Sequence, residues 1–79
     1  MASNLEVCLS IIQFLDKNGP QTQDKIDLTI IKKAKMIRKT LDLLIEQRLI
    51  EKTANHNNQE TYANTDRGKR VLEFFHVKF

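Results

Sequence analysis

From position 34 to 47 the apolar residues fall on one stripe of a helix, and within a few residues the period changes. Ala34, Ile37, Leu41, Leu44 and Ile45 recur at the three-and-four spacing of an amphipathic α-helix that faces a core. Residues 49–53 (LIEKT) then take up the shorter alternation of a β-strand, and residues 60–64 (ETYAN) take it up again after a polar insert. The insert, residues 54–59 (ANHNNQ), is rich in asparagine, which tolerates turn geometry. The pair therefore reads as a hairpin closed by a longer, mobile loop.

The flanking segments complete the pattern. Residues 4–18 carry Leu5, Cys8, Leu9, Ile12 and Leu15 at helical spacing, with Ser3 or Asn4 as cap. Asn18-Gly19-Pro20 stops this helix, because glycine accepts the left-handed conformation and proline disfavours helical geometry before it. Gln21 and Thr22 suit a very short strand, and Thr22 caps a second helix from Gln23 to about Thr29 or Ile31, with Ile26 and Ile30 facing inward. A break near Lys32 and Lys33 precedes the third helix. Thr65 caps a last helix with Asp66 at its positive start and Val71, Leu72 and Phe75 on its apolar face, running to the C-terminus. The order is α-β-α-α-β-β-α, mainly α with a small β-hairpin (α+β), a winged helix-turn-helix occupying residues 1–79 as a single domain.

Composition narrows the function classes. With 79 residues a single core is marginal, so help from a partner copy is expected. A 41% apolar and 29% charged composition is that of a soluble globular chain. No run approaches the ~20 apolar residues of a membrane span, and the N-terminus lacks the pattern of a signal peptide, so the expected location is the cytoplasm. The lone Cys8 has no internal disulfide partner, and with two scattered histidines it supplies no tetrahedral zinc site. No Ser/His/Asp set, paired catalytic carboxylates or glycine-rich phosphate loop is present, which argues against an enzyme, a cofactor or a small-molecule substrate.

Two segments resemble the archaeal winged-helix family of small regulators found in crenarchaeal genomes and their viruses. Residues 39–52 (KTLDLLIEQRLIEK) look like that family's recognition-helix end running into the first wing strand. Residues 62–69 (YANTDRGK) are similar to its strand-to-helix junction, where a threonine caps a helix that carries an early glycine. The chain departs from the pattern at Arg48, where a glycine is usual, and at a wing tip without arginine or lysine. The resemblance implies sequence-specific binding of double-stranded DNA, commonly as a homodimer and without a cofactor.

Charge placement points the same way. Five of the eight residues from position 32 to 39 are basic, namely Lys32, Lys33, Lys35, Arg38 and Lys39, and no acid dilutes them. At ~100° per residue, Lys32, Lys35, Met36 and Lys39 project away from the apolar stripe. A helix-turn-helix protein reads base edges with the N-terminal part of its second motif helix, which is where these side chains stand. Lysine and arginine meeting phosphate release counterions and give affinity without sequence information. Arg38, nearer the core edge, suits phosphate contact, while Lys35, Met36 and Lys39 suit base reading, Met36 by touching a thymine methyl group. A basic helix start is elsewhere often no more than a solvated face; its place on the third helix favours the functional reading. Asp42 and Glu46 limit the phosphate-facing surface. Thr22 and Gln23 open a helix whose first amides can hold a phosphate, though ordinary capping explains them equally. Asn57 and its neighbours in the wing are candidates for groove contact, with a plain exposed loop as the alternative.

Helix one also carries a second apolar row, Val7, Ile11 and Phe14, and the C-terminus carries Phe74, Val77 and Phe79. A two-fold homodimer that buries both sets is expected to place two recognition helices about one DNA turn apart. Two alternatives stand beside it. Helix one is central and buried nearly all round, or the aromatic tail docks a foreign protein and the chain is a winged-helix interaction module within a larger assembly.

Overall fold

A computed structural model describes residues 4–76, and side chains from Leu5 to Phe75. The elements are α1 (Asn4–Asn18), α2 (Gln23–Thr29), α3 (Ala34–Glu46), β1 (Ile50–Ala54), β2 (Glu60–Asn64) and α4 (Asp66–His76). The strands form an antiparallel hairpin with Ile50 opposite Asn64 and Ala54 opposite Glu60. Gln21 adds an isolated bridge to Tyr62, its N–H donating to the Tyr62 carbonyl at 3.0 Å and its carbonyl accepting from the Tyr62 N–H at 2.8 Å. The expected strand at residues 21–22 is thus a single bridge that ties the start of α2 to the wing. Three helices followed by a hairpin and a fourth helix make a winged helix.

Local chemistry sets the element ends. Gly19, at φ 77°, donates its N–H to the Leu15 carbonyl and closes α1 before Pro20. The Thr22 hydroxyl accepts from the Lys25 N–H and caps α2. Thr65 does more than cap. Its hydroxyl accepts from the Gly68 N–H at 3.1 Å and donates to the Arg48 carbonyl at 2.7 Å, while its own N–H donates to the Leu49 carbonyl. One residue therefore starts α4 and fastens it to the turn between α3 and β1.

The core gathers Val7, Ile11, Ile12 and Leu15 from α1 with Ile26, Ile37, Leu41, Leu44, Ile50, Tyr62 and Leu72. α1 packs against α3, α4 and β2, so it is covered on more than one side. This corrects two expectations. Val7 and Ile11, assigned to a dimer surface, are 2% and 0% exposed within the single chain, and Phe14 is partly buried against the same core. Leu5, assigned to the core, is 55% exposed. Of the expected core row, Ile12 and Leu15 are buried and Cys8 packs against the core, so the buried face of α1 takes in residues of both rows. Ala34 is likewise exposed and not part of the buried stripe of α3. Ser3, Val77 and Phe79 lie outside the described residues.

The wing loop is built on side-chain hydrogen bonds. Asn55 organises it: its side-chain oxygen accepts from the N–H groups of Asn57 and Gln59, and its side-chain nitrogen donates to the Gln59 side chain. Asn58 takes φ 62°, which asparagine tolerates. The longer loop expected between the strands thus contains a hydrogen-bonded turn.

Candidate nucleic-acid interface

α3 starts in an unusual way. Its N-cap is Lys33, which makes no side-chain cap hydrogen bond, and its first turn holds no acidic residue. Most helices begin with a side-chain acceptor and acids, which satisfy the orphan N–H groups and oppose the positive end of the dipole. Here lysines occupy that end, each unfavourable to the helix by roughly 0.3–1 kcal/mol. Among the described residues, Lys33, Lys35 and Lys39 form no ion pair. The start of α3 thus carries uncompensated positive charge from side chains and backbone together.

These side chains border a shallow groove along α3, lined by Lys33, Lys35, Met36, Lys39, Thr40 and Leu43. Met36 and Leu43 are 38% and 44% exposed, and both lie on the flank of α3, roughly 100° round the helix from the buried Ile37, Leu41 and Leu44. Thr40 is nearly buried and donates its hydroxyl proton to the Met36 carbonyl at 2.9 Å. The groove therefore has an apolar floor and a lysine rim. Leu43 was not anticipated from the sequence, although its spacing of seven from Met36 places both on one face.

The remaining candidates lie around this groove and not in it. Arg38 is exposed and its guanidinium stands 3.8 Å from the Asp42 carboxylate one turn on, an exposed pair of small energetic weight. Lys32, expected beside Lys35 and Lys39, precedes the helix and borders a different groove, shared with Gln13, Phe14 and Ile31. Thr22 is used as a cap, and it lines a second depression with Lys25, Thr53 and Asn55 at the base of the wing. Gln23 is half-buried, and Asn57 is exposed at the wing tip. Phe74 is 81% exposed, with its ring edge-on to Phe75.

Two groups outside the groove have shifted acidity. Burial pushes the Cys8 thiol above its ordinary range, which lowers the thiolate fraction available for oxidation. Burial, and then the neighbouring Glu60 carboxylate, push the Tyr62 phenol up as well; that phenol donates to Glu60 Oε1 at 3.4 Å. Among the described residues no cluster of His, Cys, Asp and Glu suits a metal ion, and no helix is long and apolar enough to cross a membrane.

No protein-family model matches the chain, and no curated protein sequence matches it. Solved structures do. A probable transcriptional regulator from Pseudomonas aeruginosa superposes with a TM-score of 0.79 at 18% identity, over 87% of this chain and 54% of that one. The ZitR protein of Lactococcus lactis gives 0.81 at 20% identity, over 90% of this chain and 49% of that one. A transcription regulator of the MarR family gives 0.81 at 20% identity, over 90% and 48% respectively. The chain thus has the winged-helix fold of these proteins and spans about half the length of each.

Proposed function

We propose that this chain is a sequence-specific double-stranded-DNA-binding transcription regulator that works as a homodimer with α3 in the major groove. The observation that carries the reading is the start of α3, uncapped, free of acid and ringed by Lys33, Lys35 and Lys39. A helix start that opposes its own dipole is a local rule broken, and such breaks concentrate where a partner supplies the compensation. Phosphate supplies it, since it is anionic and accepts hydrogen bonds from lysine and from helix amides alike. The winged-helix fold and its sharing with proteins described as transcription regulators support the same reading. So does the resemblance to crenarchaeal and crenarchaeal-virus regulators.

In this reading Lys33, Lys35 and Lys39 meet the duplex first, with Arg38 and Lys32 as flanking phosphate contacts. Thr22, Gln23 and Asn57 contact the backbone from α2 and the wing. The protein is not an enzyme, uses no cofactor or small-molecule substrate, and acts in the cytoplasm, that of the host for a viral source. The dimer uses Phe74 with Val77 and Phe79, and predicts a palindromic operator. Val7 and Ile11 take no part in it.

Selection from a pool of random duplexes tests the reading. One enriched motif, with protection confined to it, is the expected result. Recovery of no motif, together with binding no stronger than that of a generic polycation, overturns it. A second reading, a winged-helix protein–protein interaction module, is favoured by Phe74, because an exposed aromatic suits a foreign partner as well as a second copy.

A further inference from the structure

Resting on the DNA reading, we propose that this protein tells its operator from other duplexes chiefly by the methyl groups of thymine, read by Met36 in the apolar floor of the α3 groove. Base edges in the major groove offer two kinds of handle, hydrogen-bonding groups and the thymine C5 methyl. For the first kind, the exposed face of α3 offers Lys35 and Lys39, flexible donors to guanine that the phosphates also attract. It carries no asparagine or glutamine, the side chains that pair bidentately with adenine. Its one arginine, the usual partner of guanine, is beside Asp42.

Along the floor of the groove the one hydroxyl is that of Thr40, whose proton is already donated to the Met36 carbonyl. What the floor offers is the Met36 thioether and, two turns on, the Leu43 methyls. The lysine rim suits the negative duplex on either side and identifies DNA as the occupant by charge complementarity. Exposed apolar side chains enclosed by lysines gain from being covered by another apolar group. In a major groove that group is the thymine methyl. Methionine, flexible and polarisable, adapts to a methyl at more than one position.

Replacing thymine by deoxyuridine removes the methyl and keeps the base pair, so it isolates this contact. Anisotropy titrations compare the selected operator with copies carrying deoxyuridine at single thymines. Affinity is expected to fall about fourfold at each thymine whose methyl is covered. Met36→Gln, at an exposed position, is expected to fold as the parent does, to keep its salt dependence, and to bind the thymine and deoxyuridine duplexes equally. Circular dichroism and thermal melting check the fold. A selected half-site without thymine, or equal affinity of the parent for thymine and deoxyuridine at every position, overturns the inference and leaves the DNA reading standing. A parent that recovers no duplex motif at all overturns both.

Discussion

Arg48 holds a left-handed backbone, φ 60°, where α3 gives way to β1. That conformation costs a residue with a Cβ roughly 1–2 kcal/mol, and glycine returns roughly 0.5–1 kcal/mol of it through its freer unfolded chain. The glycine usual at this point in the resembled family is thereby explained, and so is the sense of a mutation. Arg48→Gly is expected to raise the urea midpoint, by roughly 0.5 kcal/mol of stability; a lower midpoint contradicts the backbone argument. Gly68 has the opposite constraint. A Cβ there would press on the Leu49 carbonyl, whose carbon lies 3.2 Å from the ideal Cβ position. Gly68→Ala is expected to destabilise by about 1–3 kcal/mol, as overpacking does, read from thermal or urea unfolding. Tyr62 gives a pH signature. Its folded-state phenol is held above the ordinary range by burial and by Glu60. The unfolded chain therefore loses its phenolic proton first, so the contribution is full below about pH 10 and is lost as pH rises through the folded value. The fall in stability between neutral and strongly alkaline pH is expected to be smaller in Tyr62→Phe, and an unchanged fall rules the effect out.

Among the elements, α3 is where stability and binding pull apart. Lys33→Asp supplies both the missing cap and a charge that suits the dipole, so the variant is expected to gain roughly 1 kcal/mol of stability. It is expected to bind duplex more weakly than the parent, because the same change places a carboxylate against phosphate. Unfolding and duplex titration of the same sample check both signs, and a variant that gains stability without losing affinity removes Lys33 from the interface. This element was also the most legible in the sequence, since Ile37, Leu41 and Leu44 have one period and one face. α1 was legible as a helix but not in its orientation. It carries two apolar rows, and spacing alone does not say which row meets the core. Val7 and Ile11 of one row and Ile12 and Leu15 of the other are all inside, because α1 meets three elements, α3, α4 and β2. The hairpin followed from its alternation and its asparagines. The Asn55 bonds to the N–H groups two and four residues on are a local asparagine turn, and four asparagine and glutamine residues in the insert left open which one makes it.

At the scale of the whole molecule, the described residues build one core within a single chain, and the proposed contacts lie on what stays outside it. Phe74 is outside on α4, and the lysine-rimmed groove is outside on α3. Phe74→Ser is expected to shift sedimentation from dimer to monomer and to weaken operator binding while leaving the core intact. A monomeric parent contradicts the homodimer. The groove itself was legible in its charge, because five basic residues crowd positions 32–39. Its composition was only partly so: Lys32 lies before the helix and faces toward α1, and Leu43 joins Met36 in the floor.

The salt dependence of duplex affinity bears most directly on whether the start of α3 meets phosphate. The parent is compared with the Lys35→Ala, Lys39→Ala double variant, each titrated against one duplex from low to high salt. Every lost phosphate contact removes about 0.9 from the slope of log affinity against log salt. The double variant is therefore expected to lose about two units of slope for each bound protomer, with affinity falling most at low salt. A variant that folds normally and keeps the slope and affinity of the parent would contradict the placement of α3 on DNA.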